Sequence, residues 1–427
     1  MHRQKATYPI AEGQIKELKQ RMLNWAQQFS ILLLLDSNSY KDKYSRYECL
    51  LAAGVAATID GGIDAVHDAY TNSKDWLFGN ICYDHKNALE KKLFSRHAEI
   101  LGFPELHFFK PAIVCYIDAG QTTFTIESLT DAPDDIYAQI QKAESLPHTP
   151  IPKLQFQQQI EKEQYLDTIT SLRRHIIDGD CYEINFCNEG FCENAVVEPS
   201  AVFPELNKLS PAPFAAYYRN GDKYMMCASP ERYIRKEGTT ISSQPIKGTA
   251  RRDADPAKDN EIKEQLYNSI KDRAENVMIV DLVRNDLARC CETGSVKVDE
   301  LFGIYSFPQV HQMISTVSGT LKPGVPFTDA LKYSFPMGSM TGAPKIKVME
   351  LIDKYETSRR ELFAGTVGYI SPDGDFDFNV IIRSLFYNST AQYLSYQTGG
   401  AITFDSTPEQ EWEEMRLKAW ALERIFN

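Results

Sequence analysis

Apolar residues open the chain at helical spacing, with Ile15, Leu18, Met22 and Trp25 on one face of a segment over 11–28. The unbroken apolar run at 31–35 that follows has the length of a buried strand rather than a helix. Short strand-like runs continue at 76–83 and 111–116, set among loops. A polar stretch over about 131–153, containing Ser145, Pro147, Pro150 and Pro152, predicts a connector. It divides an N-terminal lobe, 1–153, from a region at 154–427 expected to pack with it as one globule. The second region predicts helices over 157–178, 258–290, 344–356 and 408–426. These alternate with strands over 214–219, 224–228, 365–371, 378–387 and 393–398. The mixture predicts an α+β fold, a large two-lobed antiparallel β-sandwich flanked by helices.

Composition narrows the partners. The 427 residues are 43% hydrophobic and 24% charged, ordinary for a globular chain. A net charge of -12 opposes attraction to nucleic acid backbones and to anionic membrane surfaces. The early apolar run is too short to span a bilayer, so the expected location is cytoplasmic. Nine cysteines without paired CxxC spacing read as reduced, buried apolar residues, including the adjacent Cys290 and Cys291.

The segment 229–249 reads as two strands joined by a turn at Glu237-Gly238, which brings Glu231 level with Lys247 to within a residue of register. Lys247 lies in Pro-Ile-Lys-Gly-Thr, where proline removes a ladder donor and glycine permits close backbone approach, as in a strand lining a pocket. Such an amine serves as a nucleophile if its surroundings lower its pKa, with the paired carboxyl moving protons. On this pattern alone, a cross-strand salt bridge is the preferred reading of the pair.

Carboxylates gather in two further places. Glu275 stands where a charged helical run turns apolar, among Asp272, Asp281, Asp286, Arg273 and Arg284, which also suit an ordinary ion-pair network. In the last helix Glu411 and Glu414 fall at i and i+3 with Lys418 a further four on, all along one face. A solvated acidic first turn, which suits the helix dipole, is a more common arrangement for two such glutamates than a metal site. Oxygen-only ligands favour Mg²⁺ over Zn²⁺ if a metal binds. The segment 335–345 is not a phosphate loop, because it lacks the Gly-Lys-Ser/Thr ending. Its glycine turn feeding Pro344 at a helix start is nonetheless suited to receive a carboxylate. The stretch 365–369, Arg383 and Gly399-Gly400 offer further donors, or serve only as turns and packing.

Taken together, Ser-Pro-Glu-Arg at 229–232, Pro-Ile-Lys-Gly-Thr at 245–249, the Asp-Arg-Ala-Glu-Asn run opening 272–287, Phe-Pro-Met-Gly-Ser-Met-Thr-Gly-Ala-Pro-Lys at 335–345 and Glu-Trp-Glu-Glu at 411–414 resemble the chorismate-utilizing enzyme family, in family order across roughly 160–425. Relatives that make anthranilate, isochorismate or salicylate usually carry alanine where this chain has Lys247. Lysine marks the aminodeoxychorismate synthase branch. The resemblance implies that Lys247 adds to the chorismate ring and expels its 4-hydroxyl, with Glu231 as acid and base, before ammonia displaces the lysine. It implies that Glu275, Glu411 and Glu414 hold Mg²⁺, and that Gly338, Ser339, Thr341, Tyr369, Arg383, Gly399, Gly400 and Lys418 hold the substrate.

Two departures stand out. Many relatives have histidine where this chain has Gln312, with His311 one place earlier and therefore facing the opposite side of its strand. That histidine is associated with pyruvate elimination, so Gln312 favours a product that keeps the enolpyruvyl group. Ala401 replaces the third glycine of a Gly-Gly-Gly turn. The first third resembles the family more weakly: 33–37 lies where the tryptophan pocket of relatives begins, but the usual glutamate is absent. No Gly-x-Cys-x-Gly elbow is present, so ammonia is expected free or from a separate glutamine amidotransferase subunit in a heterodimer. The alternatives are the anthranilate-forming branch and a non-catalytic chorismate-binding regulator.

Overall fold

A computed structural model of the chain describes residues 2–11, 13–40, 43–143, 150–307 and 310–427. Every strand ladder among them is antiparallel, and the strands join into one forked sheet. The fork lies at a long hairpin-like pair, Tyr47–Ile59 against Leu106–Asp118. The early half of the second strand takes Leu77–Ile81 as its other neighbour, and the later half takes Thr123–Ser128.

One branch leaves through Tyr47–Ile59 and Ile31–Asp36. It crosses Phe214–Asn220, Lys223–Ser229, Ser384–Asn388 and Tyr393–Ile402, and ends at Glu183–Cys192. The other leaves through Leu77–Ile81 and Thr366–Ile370. It continues over Phe376–Asn379, Arg232–Glu237 and Thr240–Ser243, then reaches Val310–Thr320, which also pairs with Ile246–Arg251. The two branch ends come together, and the candidate site lies between them.

Both faces of the early strands are covered, which explains their unbroken apolar runs. Leu33 points into a core shared with Phe78, Phe108, Ile184, Ile279 and Val317, whereas Leu32 and Leu34 point into another with Met22, Trp25, Tyr217 and Leu422. Eleven α-helices flank the sheet among the described residues. None is long and apolar enough to cross a membrane. All nine cysteines are free and buried.

Several boundaries differ from the sequence reading. The expected connector over 131–153 contains a helix, Pro133–Lys142, opened by Pro133 and acidic Asp134 and Asp135 and packed through Ile136 and Ile140. Ser145 and Pro147 lie outside the described residues. The run 258–290 is two helices, Pro256–Asn268 and Ile270–Ala288, because the Ser269 hydroxyl accepts from the Asp272 N–H and starts the second. The strand expected over 378–387 is also two, broken where Arg383 takes φ +52°. The thirteen-residue strand Tyr47–Ile59 had no alternating signal, since residues 48–53 are buried on both faces.

A buried arginine ties the site's supports together. Arg360 pairs with Glu356 at 2.6 Å and donates to the carbonyls of Met340 (2.7 Å) and Asn185 (2.9 Å), while Glu356 accepts from the Cys187 N–H. Arg360→Met leaves Glu356 without its cation, and the expected loss is about 3–5 kcal/mol, read as a lowered urea midpoint. A shift equivalent to less than about 1 kcal/mol would show that the cluster is not a structural tie.

Candidate active site

Lys247 owes its direction to a break in the ladder. Strand Ile246–Arg251 pairs with Val310–Thr320 at Ile246 and again from Thr249, with a register shift between. Gly248 occupies the shift at φ +87°, where an added Cβ would come within 3.0 Å of Asp272. Lys247 is thereby turned inward and is 8% exposed. Its Nζ lies 2.5 Å from Glu183 Oε1, on the first residue of strand Glu183–Cys192.

The expected cross-hairpin pair with Glu231 is therefore corrected. The ladder matches Glu237 with Thr240 and Arg235 with Ser242, a register that carried further sets Glu231 opposite Ile246, but the pairing stops at Ser242. The Glu231 carboxylate instead accepts from the Ile246 N–H and the Ser339 hydroxyl, and it feels the charge of Lys247 and Arg383.

Burial sets the protonation of these groups. It pushes the Glu231 carboxyl up to about 7, against the pull of Ser339 and Lys247. Burial likewise lifts Glu275 to about 7, opposed by Lys247. Burial alone would lower the Lys247 amine, but the charges of Glu183 and Glu275 outweigh it and hold the amine above its usual value. Arg383 is lowered by burial.

These groups face one cleft of about 1410 Å³, whose lining includes Glu231, Lys247, Glu275, Ser339, Arg383, Gly399, Glu414 and Lys418. Gly399 and Gly400 let two elements close on it: a Cβ on Gly399 would sit 2.0 Å from the Phe186 carbonyl, and one on Gly400 would sit 2.8 Å from Glu411 Oε2. Gly338, Gly400 and Glu411 are not part of that lining, and Gly338 lines a separate recess with Tyr233 and Ile279, against Leu282.

Two further expected substrate residues also stand elsewhere. The Thr341 hydroxyl is fully buried and bonds the Met337 carbonyl at 3.0 Å, bracing its turn. Tyr369 lines a separate recess with Arg46, Tyr47 and Asp377, packed among Trp76 and Phe78. The helix start at Pro344 also lies outside the cleft lining, and Lys345 turns away to Asp286 and the Ser334 carbonyl.

The acidic trio fits a hard cation in chemistry. Glu275 Oε1 is buried without a hydrogen-bond partner, and burial raises Glu411, the sign of a carboxylate lacking sufficient counter-charge. As they stand, lysines serve this role: Lys271 approaches Glu275 at 3.8 Å, and Lys418 sits 2.8 Å from Glu414 and 2.7 Å from the Gly399 carbonyl. Among the described residues no three potential ligands are grouped closely enough to hold a metal.

Gln312 lines the cleft, whereas neighbouring His311 faces away and contacts Asp259 and Ser306 at 3.0 and 2.9 Å. Sequence reasoning missed Glu183 and Asn185. The signal available was their alternation with Ile184 and Phe186, which sets two polar groups on one face at the start of the strand.

Aminodeoxychorismate synthase component 1 of Salmonella typhimurium is 40% identical over 259 residues, covering 61% of this chain and 56% of that protein. The chain thus spans about half the length of that curated relative. An anthranilate synthase component I-like protein of Synechocystis is 34% identical over 351 residues, covering 81% of this chain and 71% of its own length. The crystal structure of anthranilate synthase component I from Streptococcus pneumoniae shares the fold, with a TM-score of 0.78 and 24% identity, over 90% of this chain and 94% of that one. The sequence model for chorismate binding enzymes matches residues 47–424, and the chain belongs to that family.

Proposed function

We propose that this chain is an aminodeoxychorismate synthase component I, which replaces the 4-hydroxyl of chorismate with ammonia to give 4-amino-4-deoxychorismate for para-aminobenzoate synthesis. The observation that carries this reading is Lys247, a buried amine facing a cleft beside a carboxyl pushed up to about 7. A carboxyl with that pKa holds a proton near neutrality and can give it up, as general acid–base work requires. In the first half-reaction neutral Nζ bonds to the ring, the bond to the 4-hydroxyl breaks, and Glu231 donates the proton that lets it leave as water. In the second, ammonia bonds at C4, the lysine–ring bond breaks, and Glu231 recovers a proton from the new ammonium.

Arg383 and Lys418 offer positive charge to the substrate's carboxylates, with Ser339 and the Gly399 backbone beside them. Glu275, Glu411 and Glu414 would have to draw closer than they stand to hold Mg²⁺, which when bound supplies a positive field for the ring carboxylate. A separate glutamine amidotransferase in a heterodimer would supply the ammonia, and the reaction is placed in the cytoplasm.

Incubation with chorismate, Mg²⁺ and ammonium is expected to yield 4-amino-4-deoxychorismate by chromatography and mass spectrometry. Lys247→Ala should lower that rate by at least about 100-fold. Anthranilate fluorescence that persists in Lys247→Ala would instead place the chain in the anthranilate-forming branch, the activity named for the Synechocystis relative.

The proton on Glu231 gives a second test. Its carboxyl is protonated below about 7 and loses the proton as pH rises, so kcat/KM should fall on the alkaline side of that value. Glu231→Gln should be slower by about 100-fold and should lack this limb. An alkaline limb unchanged in Glu231→Gln would assign it to another group.

A further inference from the structure

We propose that Glu183 is the proton acceptor that turns Lys247 from an ammonium into a nucleophile and returns the proton when the lysine is released, an inference that rests on the covalent-lysine reading above. The geometry is specific. Among the described residues, the hydrogen bond that Nζ makes is the one to Glu183 Oε1, at 2.5 Å. Glu183 is fully buried, and its other oxygen, Oε2, has no hydrogen-bond partner. That unpartnered oxygen leaves Glu183 with lone pairs free to receive a proton while Oε1 keeps its contact with Nζ. Two charges at zero and 8% exposure form a pair whose neutral form avoids desolvating either one.

The other acids around Nζ are placed for different work. Glu231, just before strand Arg232–Glu237, accepts from Ser339 and the Ile246 N–H and faces Arg383. Glu275, on helix Ile270–Ala288, and Glu414, on helix Pro408–Arg424, act on Lys247 through their charge and are approached by Lys271 and Lys418. Glu183 is held where it is by backbone: its strand pairs with Gly342–Ala343, and Gly342 at φ +126° has no room for a Cβ beside the Glu183 carbonyl.

The protons balance around the cycle. Lys247 ammonium and Glu183 carboxylate become amine and carboxylic acid. The amine then bonds to the ring while Glu231 supplies the proton for departing water, leaving a secondary ammonium on the lysine. Ammonia displaces the lysine as a neutral amine, which takes its proton back from Glu183, while Glu231 is recharged by the product ammonium. Chorismate and ammonia enter; 4-amino-4-deoxychorismate and water leave.

The test is the burst of chorismate consumed per chain without ammonia, followed by rapid quench across pH in wild type, Glu183→Gln and Glu183→Asp. Glutamine keeps the shape and the hydrogen bond but takes no proton. Its burst is expected to be about 100-fold slower at pH 7, to climb tenfold per pH unit below about 7 as hydroxide replaces the missing base, and to level off above it where Glu231 loses its proton. Aspartate should recover much of the rate and the wild-type pH profile. A Glu183→Gln burst within about threefold of wild type, or equal loss in both variants with an unchanged profile, would overturn the role. A wild type that aminates steadily but shows no burst would refute the covalent-lysine reading itself, a result distinct from failure of Glu183.

Discussion

The site depends on a lysine ammonium held out of water by a glutamate that is itself fully buried. Burial opposes both charges, and each is tolerated because the other is 2.5 Å away. Glu231, Glu275 and Glu414 add negative field around one amine, which keeps the proton on Lys247 until something changes the balance. An enclosure with more acid than base in this state is suited to a further cation. The orphaned oxygen of Glu275 and the raised carboxyl of Glu411 are the places where that excess is felt.

The forked sheet is what makes the contact possible. Glu183 opens a strand near the end of one branch, and Lys247 sits in a bulge near the end of the other, where Val310–Thr320 also pairs with Lys297–Ser306. They are 64 residues apart in sequence and meet only when both branches have curled toward each other. Arg360 helps to fix that meeting, since it bonds the Asn185 carbonyl near Glu183 and the Met340 carbonyl beside Ser339. Packing at the base of the cleft thus sets distances among the groups that face it.

Legibility in the sequence followed the range of the interaction. Lys247 and Glu231 were visible because proline and glycine punctuate a hairpin, and Glu411, Glu414 and Lys418 because helical spacing aligns them. Their partners were not visible: a salt bridge between branch ends leaves no local pattern, so Glu183 passed as one of several polar residues in its strand. Thr341 and Tyr369 show the converse. They stand within motif-bearing segments, yet one braces a turn and the other packs in an aromatic cluster away from the lysine. The α+β class was legible from alternating elements, whereas the fork was not, because the strands that create it are buried on both faces and lack a period.

The account stands on Lys247 forming a bond to the substrate. Peptide mapping by mass spectrometry of the chain quenched with chorismate and Mg²⁺, without ammonia, tests this directly. A mass increment of chorismate less one water, located on the peptide containing Lys247, is the predicted result. An unmodified Lys247 in a chain that goes on to aminate chorismate when ammonia is added would contradict it.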